Sequence, residues 1–319
     1  MNIKRLGKRL APAAMIRFVL PMLLKGKAKR MGLDIDVSSD YIDIVKGDDV
    51  VRISSSHVVY IEDIINSFEY YFDAVIPFSL SSRNIVDYST PRYHAVAGFD
   101  AFPILFPSFS EPVITATQYM EFANLAEGDV VLDLGAYSGL TSILFAGAVG
   151  KTGTVIAVDA DQRNIECIKR NLSNYKRYFG ENISLLEGAV WEHNNGLEFS
   201  CEGNMGSSAA SIVGNKRGSV SKVPSFTLSS IANLFKLQRV DFMKVDVEGA
   251  EKVIFEDKDF FRNFMPRIIV ETHIVDDVMT TSKCISDLKC YGYKCEQIIQ
   301  QGVTAPLLEC VPPISCDVH

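Results

Sequence analysis

Two stretches of the chain place acidic residues and glycines where strands should end. The first, Val130–Gly139 (VVLDLGAYSG), is an apolar run closing on Asp133-x-Gly135-x-x-x-Gly139. The second, Asp241–Glu251 (DFMKVDVEGAE), is another apolar run ending in Asp246, Glu248 and Glu251 around Gly249. Glycines in such a turn let backbone approach a ligand closely, because no Cβ intervenes. Carboxylates clustered at strand ends suit a cationic ligand or the handling of protons. Together they point to a nucleoside cofactor lying beside an acidic pocket.

The type of cofactor follows from what the glycine turn lacks. Dinucleotide binding needs G-x-G-x-x-G so that backbone amides can touch a pyrophosphate. The residue two positions after Gly135 is Tyr137, which breaks that pattern, and no phosphate-binding P-loop is present. An acidic residue two before the first glycine suits a cofactor with an ammonium group and no phosphate, as in S-adenosylmethionine. A following strand ends at Asp159, whose carboxylate can accept ribose hydroxyls, and is followed by Ala160. Asp161 reads as the cap of the next helix. A third strand runs into Gly188 and Ala189, a small-residue turn able to receive an adenine ring. Candidate catalytic groups lie at the ends of two later strands: Asp246 and Glu248 on one, Glu271 and His273 on the other. His273 has the ordinary pKa nearest neutrality and is the first choice of base. Glu251 reads as a capping or pairing residue, and Lys244 as a partner for a neighbouring charge. Asp246 could ligate a divalent cation, a reading placed second to a metal-free site.

These groups require a particular set of elements. Strands are expected at Val130–Leu134, Thr154–Asp159, Ser184–Glu187, Asp241–Val245 and Arg267–Glu271, and helices alternate with them. That is the pattern of a Rossmann-like, mainly parallel α/β sheet. The intervening helices cover Leu140–Ala148 and a stretch in which Ile165, Ile168, Leu172 and Tyr175 form one face. A helix over Thr115–Ala126 is expected to start in a capping box (Thr115, Gln118) and stop at Gly128. Asp276–Tyr291 reads as a later helix ended by Gly292. Tyr293–Ile299 and Thr304–Cys310 then form an antiparallel C-terminal hairpin. Gly203–Ser211, followed by Lys216, Arg217 and Lys222, reads as a polar loop on the acceptor side. Towards the N-terminus, Tyr41–Val45 and Val50–Ser54 form a hairpin. Val58–Ala74 is an aromatic-rich helix presenting Ile61, Ile64 or Ile65, Phe68 and Phe72, and 76–112 shows no clear periodicity. The expected domains are a basic arm over 1–33, a small α+β cap over 34–112 and a cofactor-binding domain over 113–319.

Composition bounds the partners. The chain has 319 residues, 47% of them hydrophobic, and a net charge of −7, which speaks against nucleic acid. Residues 1–33 hold nine Lys/Arg and no acidic residue, leaving 23 basic against 39 acidic residues elsewhere. This arm reads either as a basic amphipathic segment resting on an anionic membrane surface, a peripheral contact, or as a partly ordered extension. Seven cysteines without a C-x-x-C pair fit reduced thiols, as in a cytoplasmic protein.

Taken in order, the segments Gly128–Gly139, Val155–Asn164 (VIAVDADQRN), Leu185–Val190 (LLEGAV), Lys244–Glu251 (KVDVEGAE) and Pro266–His273 (PRIIVETH) resemble the FkbM-type S-adenosylmethionine-dependent methyltransferases over roughly residues 111–311. The DVEGAE string is the most specific part. Many members of that family carry Asn-Ile where this chain has Tyr137-Ser138, and Glu-Pro where it has Asp159-Ala160. The resemblance implies a seven-stranded class I methyltransferase sheet. It also implies transfer of a methyl group, with O-methylation of a glycan or small-metabolite hydroxyl as the expected reaction. A nucleotide-dependent oxidoreductase and a non-catalytic membrane-associated module are the alternatives.

Overall fold

The computed structural model describes residues 13–108, 114–201, 208–209, 219–275, 278–299 and 306–313. It separates into two compact units, Met1–Thr115 with Gln301–Thr304, and Ala116–Gln300 with Ala305–His319.

The first unit opens with helix α1 (Ala13–Arg30). A five-stranded sheet follows in the order β1-β2-β3-β5-β4: β1 (Asp34–Val37), β2 (Tyr41–Lys46), β3 (Asp49–Ser54), β4 (Phe78–Leu80) and β5 (Arg83–Tyr88). The expected hairpin is β2–β3, turning at Gly47 with φ +58°. Helix α2 (Ile61–Ala74) supplies the crossover that lets β5 pair parallel to β3. It buries Ile61, Ile64, Ile65 and Phe68 as expected, but next buries Tyr71 rather than Phe72, which is only half-buried. Ser67 explains the shift. Its backbone leaves the helical region (φ −124°, ψ 21°) and its hydroxyl donates to the Asp63 carbonyl at 2.7 Å, a back-bond that bends helices. The aperiodic stretch 76–112 contains β4, β5 and an antiparallel ribbon of β6 (Arg92–Val96) and β7 (Phe99–Phe106). Alternation fails there because the ribbon shifts register between His94 and Val96.

The second unit is the α/β domain. After α3 (Ile114–Ala123) come β8 (Val130–Leu134), α4 (Leu140–Val149), β9 (Thr154–Asp159), α5 (Gln162–Phe179), β10 (Ile183–Glu187) and the short β11 (Ala189–Val190). A small sheet places β12 (Leu197–Cys201) between β13 (Ser208–Ala209) and β14 (Ser219–Val223). The segment expected as a loop thus contributes one short strand, and Lys216 and Arg217 lie outside the described residues. Then follow β15 (Ser225–Phe226), which pairs with β11, α6 (Leu228–Leu234), β16 (Phe242–Val245), α7 (Glu251–Ile254), α8 (Lys258–Asn263) and β17 (Arg267–Glu271). A two-stranded hairpin β18 (Ile274–Val275) and β19 (Val278–Met279), helix α9 (Thr281–Lys289), β20 (Lys294–Ile298) and β21 (Leu307–Val311) complete the unit.

Its main sheet runs β10-β9-β8-β16-β17-β21-β20. Every pairing is parallel until β21, which joins β17 and β20 antiparallel. Val131, Leu132, Leu134, Val155, Ile156, Met243, Val245 and Ile268 are essentially inaccessible, as strands covered on both faces should be.

Several helix boundaries differ from expectation; α2, for one, begins at Ile61 rather than Val58, with Ser55–Tyr60 forming a 3-10 helix before it. Helix α3 begins at Ile114, so Thr115 sits inside it, and it ends at Asn124, whose left-handed backbone (φ +46°) takes the role expected of Gly128. Asn is the non-glycine residue best suited to that conformation. Helix α9 starts only at Thr281, because Val278–Met279 is spent on strand β19, paired with β18.

Candidate active site

The strands β8, β9, β16 and β17 end at the same edge of the sheet, and their loops meet there. Gly135 is required for that meeting. With φ +79°, a Cβ on it would fall 1.7 Å from the Asp246 carbonyl oxygen, so the backbones after β8 and β16 touch directly. Lys244 ties the same two loops together. Its Nζ donates to the Gly135 carbonyl at 2.6 Å and lies 3.2 Å from Asp246 Oδ2 and 3.6 Å from Asp133 Oδ1. Burial opposes the charged ammonium, yet Asp246, Asp133 and Glu271 outweigh it and hold Lys244 above the ordinary lysine range.

Asp133 is fully buried beneath the turn. Its Oδ2 accepts from Thr141 Oγ1 at 2.7 Å and Ser142 Oγ at 2.5 Å, anchoring the start of α4. Its Oδ1 has no hydrogen-bond partner among the described residues and lies 3.6 Å from Lys244 Nζ.

Five backbone amides of the glycine turn are committed within the protein. Gly135 and Ala136 donate to the Val158 carbonyl, Tyr137 to Asp159 Oδ2, Gly139 to the Ala136 carbonyl and Leu140 to Ser138 Oγ. A pyrophosphate would need those donors, so the dinucleotide alternative loses its anchor. Tyr137 adopts φ +54° to make its bond, a conformation that is strained for a bulky side chain. Asp159 also accepts from the Asp161 amide at 2.9 Å, and Asn164 Nδ2 stands 3.3 and 3.4 Å from its two oxygens. Burial pushes this carboxyl up to about 7 despite the donors. Asp161 caps α5 as expected, accepting from the Arg163 amide at 2.8 Å. Next to Asp159 lie buried Ala160 and, across the β9–β10 edge, Gly188, whose amide donates to the Asp159 carbonyl at 2.8 Å, and buried Ala189.

On the β16–β17 side the four expected groups converge. His273 Nε2 is 3.6 Å from Asp246 Oδ1 and 3.7 Å from Glu248 Oε1. Asp246, Glu271 and His273 offer ligand atoms within 4.8 Å of one another, an arrangement able to receive a divalent cation. Behind them, Glu251 is fully buried at the start of α7. Its Oε1 meets His273 Nδ1 and the His273 amide at 3.1 Å each and Thr280 Oγ1 at 2.8 Å, and its Oε2 accepts from the Gly249 amide at 2.8 Å. Glu251 therefore fixes the ring and backbone of His273 at once. Tyr119, from α3, donates its hydroxyl to Glu271 Oε2 at 2.9 Å. No motif marks Tyr119 or Thr280 in the sequence; only the fold brings them here.

The electrostatics follow from four carboxylates sharing little solvent. Burial pushes Glu248 up to about 8 and Glu271, with Asp246 adding to it, up to about 7. Burial works against the imidazolium of His273, but Glu248, Glu251 and Asp246 together raise it well above the usual histidine range. In return His273 and its hydrogen bonds overcome burial and hold Glu251 below the ordinary glutamate value. Glu248 occupies a left-handed backbone position (φ +50°) followed by Gly249 at φ +103°, a turn that costs on the order of 1–2 kcal/mol at a non-glycine residue.

Counting only its seven strands in chain order, the main sheet reads 3-2-1-4-5-7-6, with an acidic, glycine-containing turn after strand 1: the layout of a class I methyltransferase. The chain belongs to the FkbM methyltransferase domain family, whose model matches residues 133–294. No curated protein sequence matches it significantly. Among solved structures, it is similar to a precorrin-6Y C5,15-methyltransferase from Geobacter metallireducens GS-15 (16% identity over 63% of this chain and 88% of that one, TM-score 0.39). It is also similar to an FkbM methyltransferase from Methylobacillus flagellatus KT (13% identity, 61% and 50%, TM-score 0.40). A third likeness is to the O-methyltransferase TomG from Streptomyces achromogenes, solved with S-adenosylmethionine (10% identity, 65% and 82%, TM-score 0.41).

Proposed function

We propose that the protein is an S-adenosylmethionine-dependent O-methyltransferase acting on a hydroxyl of a glycan or small metabolite. The observation that carries this reading is the placement of His273, gripped through Nδ1 by Glu251, at the same sheet edge as a glycine turn whose Gly135, Ala136, Tyr137, Gly139 and Leu140 amides are already bonded within the protein. The donor set fits a cationic, phosphate-free nucleoside. Each Asp159 oxygen accepts one backbone amide and retains capacity for a ribose hydroxyl. Ala160, Gly188 and Ala189 leave small side chains where an adenine would lie. Asp133 and Asp246 supply negative charge on either side of the Gly135–Gly139 turn, where Tyr137 is half-buried.

Bound there, S-adenosylmethionine supplies an electrophilic methyl group for in-line displacement. The chain's own part is to align the acceptor hydroxyl and take its proton. With Nδ1–H directed to Glu251, His273 Nε2 is the atom left to receive that proton, and Asp246 and Glu248 favour the imidazolium that results. Glu271, oriented by Tyr119, completes the acidic wall. Lys244 already places a cation against Asp246, so the reading needs no divalent metal.

Calorimetric titration with S-adenosylmethionine and S-adenosylhomocysteine tests the cofactor assignment; absence of binding to both would sink it. Mass-spectrometric screening of glycans and metabolites for the gain of one methylene mass identifies the acceptor. Turnover should survive EDTA, whereas loss restored by magnesium or manganese would assign Asp246, Glu271 and His273 to a cation instead.

A further inference from the structure

Helix α1 has two apolar faces, and only one of them is used by the protein. Leu20, Leu24 and Ala28, spaced by four, are buried in the first unit at 7%, 1% and 0% exposure, and Lys27 on that side pairs with Glu62 at 2.8 Å. This face docks the helix. The other side carries Phe18, Val19, Met22 and Leu23, exposed at 66%, 42%, 70% and 56%. At 100° per residue, Phe18, Met22, Lys25 and Lys29 form one stripe, flanked by Val19, Leu23 and Arg30. Lys25, Lys29 and Arg30 are exposed, as is Arg17 at the other end. The outer face therefore runs from about two apolar turns into a basic turn along its own axis.

We infer that this face is a docking surface for an anionic lipid bilayer, with Phe18, Val19, Met22 and Leu23 entering the acyl–headgroup boundary and Lys25, Lys29 and Arg30 meeting lipid phosphates. Charge selects this occupant. The helix has no acidic residue, while residues beyond 33 carry 39 acidic against 23 basic side chains. An anionic surface repels the rest of the chain and attracts this segment, which sets orientation as well as affinity. A second copy docked in parallel through the same face would bring two basic turns together. The helix does not cross the bilayer: no described helix is long and apolar enough, and its Leu20–Leu24–Ala28 face is already committed to the protein core. The contact is thus peripheral, and it is independent of the methyltransferase reading.

The test is co-sedimentation of the full chain with phosphatidylcholine vesicles, with and without phosphatidylglycerol. Binding is expected only to the mixed vesicles and should weaken as salt rises. Phe18→Glu/Met22→Glu and Lys25→Glu/Lys29→Glu should each lower the vesicle partition coefficient at least tenfold. Because all four side chains are exposed, thermal midpoints should remain near that of the parent. Equal partitioning of parent and variants, or no partitioning of the parent, would overturn the proposal. So would an oligomer of the parent, seen by size exclusion, that Phe18→Glu/Met22→Glu dissociates without any vesicle binding, since the face would then serve a second copy.

Discussion

Asp159 holds a proton near neutrality because burial outweighs the amides that serve it, with its carboxyl pushed up to about 7. An ionised carboxylate is the better acceptor for ribose hydroxyls and the better neighbour for a sulfonium. S-adenosylmethionine affinity should therefore rise as pH passes through about 7, and Asp159→Asn should abolish that rise and weaken binding, both read by calorimetry. The stability effect has the opposite sense. Between the ordinary Asp value of 3.8 and about 7, the fold retains a proton that the unfolded chain releases, so stability falls as pH rises through that window. Asp159→Asn should flatten the slope in thermal melts. For His273 the competent form of the base is neutral imidazole, and its folded value stands well above 6.5. Turnover should accordingly climb on the alkaline side of the usual histidine range, and His273→Gln should lower kcat by roughly 10²–10⁴-fold. The stabilising part of its ion pairs is complete below pH 6.5 and is lost as pH rises through the folded value. Glu251→Gln separates positioning from mere support. It should cost about 1–3 kcal/mol of stability and also move the alkaline rise of kcat to lower pH; a purely structural Glu251 would lower the melting temperature and leave the pH profile in place.

At the scale of elements, the sheet was legible because strands buried on both faces are unbroken apolar runs: Val130–Leu134, Thr154–Asp159 and Arg267–Glu271 occur at their expected limits. Asp133, Gly135, Asp246 and His273 were legible for the related reason that they terminate those runs. Less legible was everything set by tertiary contact. The ribbon β6–β7 hides behind a register shift, the Tyr71 face of α2 depends on the bend at Ser67, and β18–β19 takes residues that alone suggest helix. Glu251 was read as structural from its place after Gly249, and its grip on His273 becomes visible only when α7 and the segment after β17 are brought together. The abutment of the two loops gives a sharp test. Gly135→Ala must accommodate a Cβ placed 1.7 Å from a carbonyl oxygen at a positive φ, so it should destabilise the domain by on the order of 3 kcal/mol or more. Gly180→Ala, which meets nothing within 4 Å, is the control for positive φ alone.

At the scale of the whole molecule, the chain holds two compact units, each with its own sheet and buried core. Calorimetry should resolve two transitions, and S-adenosylmethionine at a hundred times its Kd should stabilise only the α/β unit, by about 2.7 kcal/mol. A single transition that shifts as one would show instead that the units unfold together. The site itself spans only the second unit, but it is assembled from distant parts of it: α3 gives Tyr119, β8 and its turn give Asp133 and Gly135, and the segment after β17 gives His273. Contact between Gly135 and the Asp246 carbonyl, reinforced by the Lys244 strut, leaves no slack between the turn that would hold the cofactor and the loop that bears Asp246 and Glu248. The two halves are geared: neither loop can breathe without the other, so a ligand that quiets the first should slow amide hydrogen exchange in the second before any acceptor arrives.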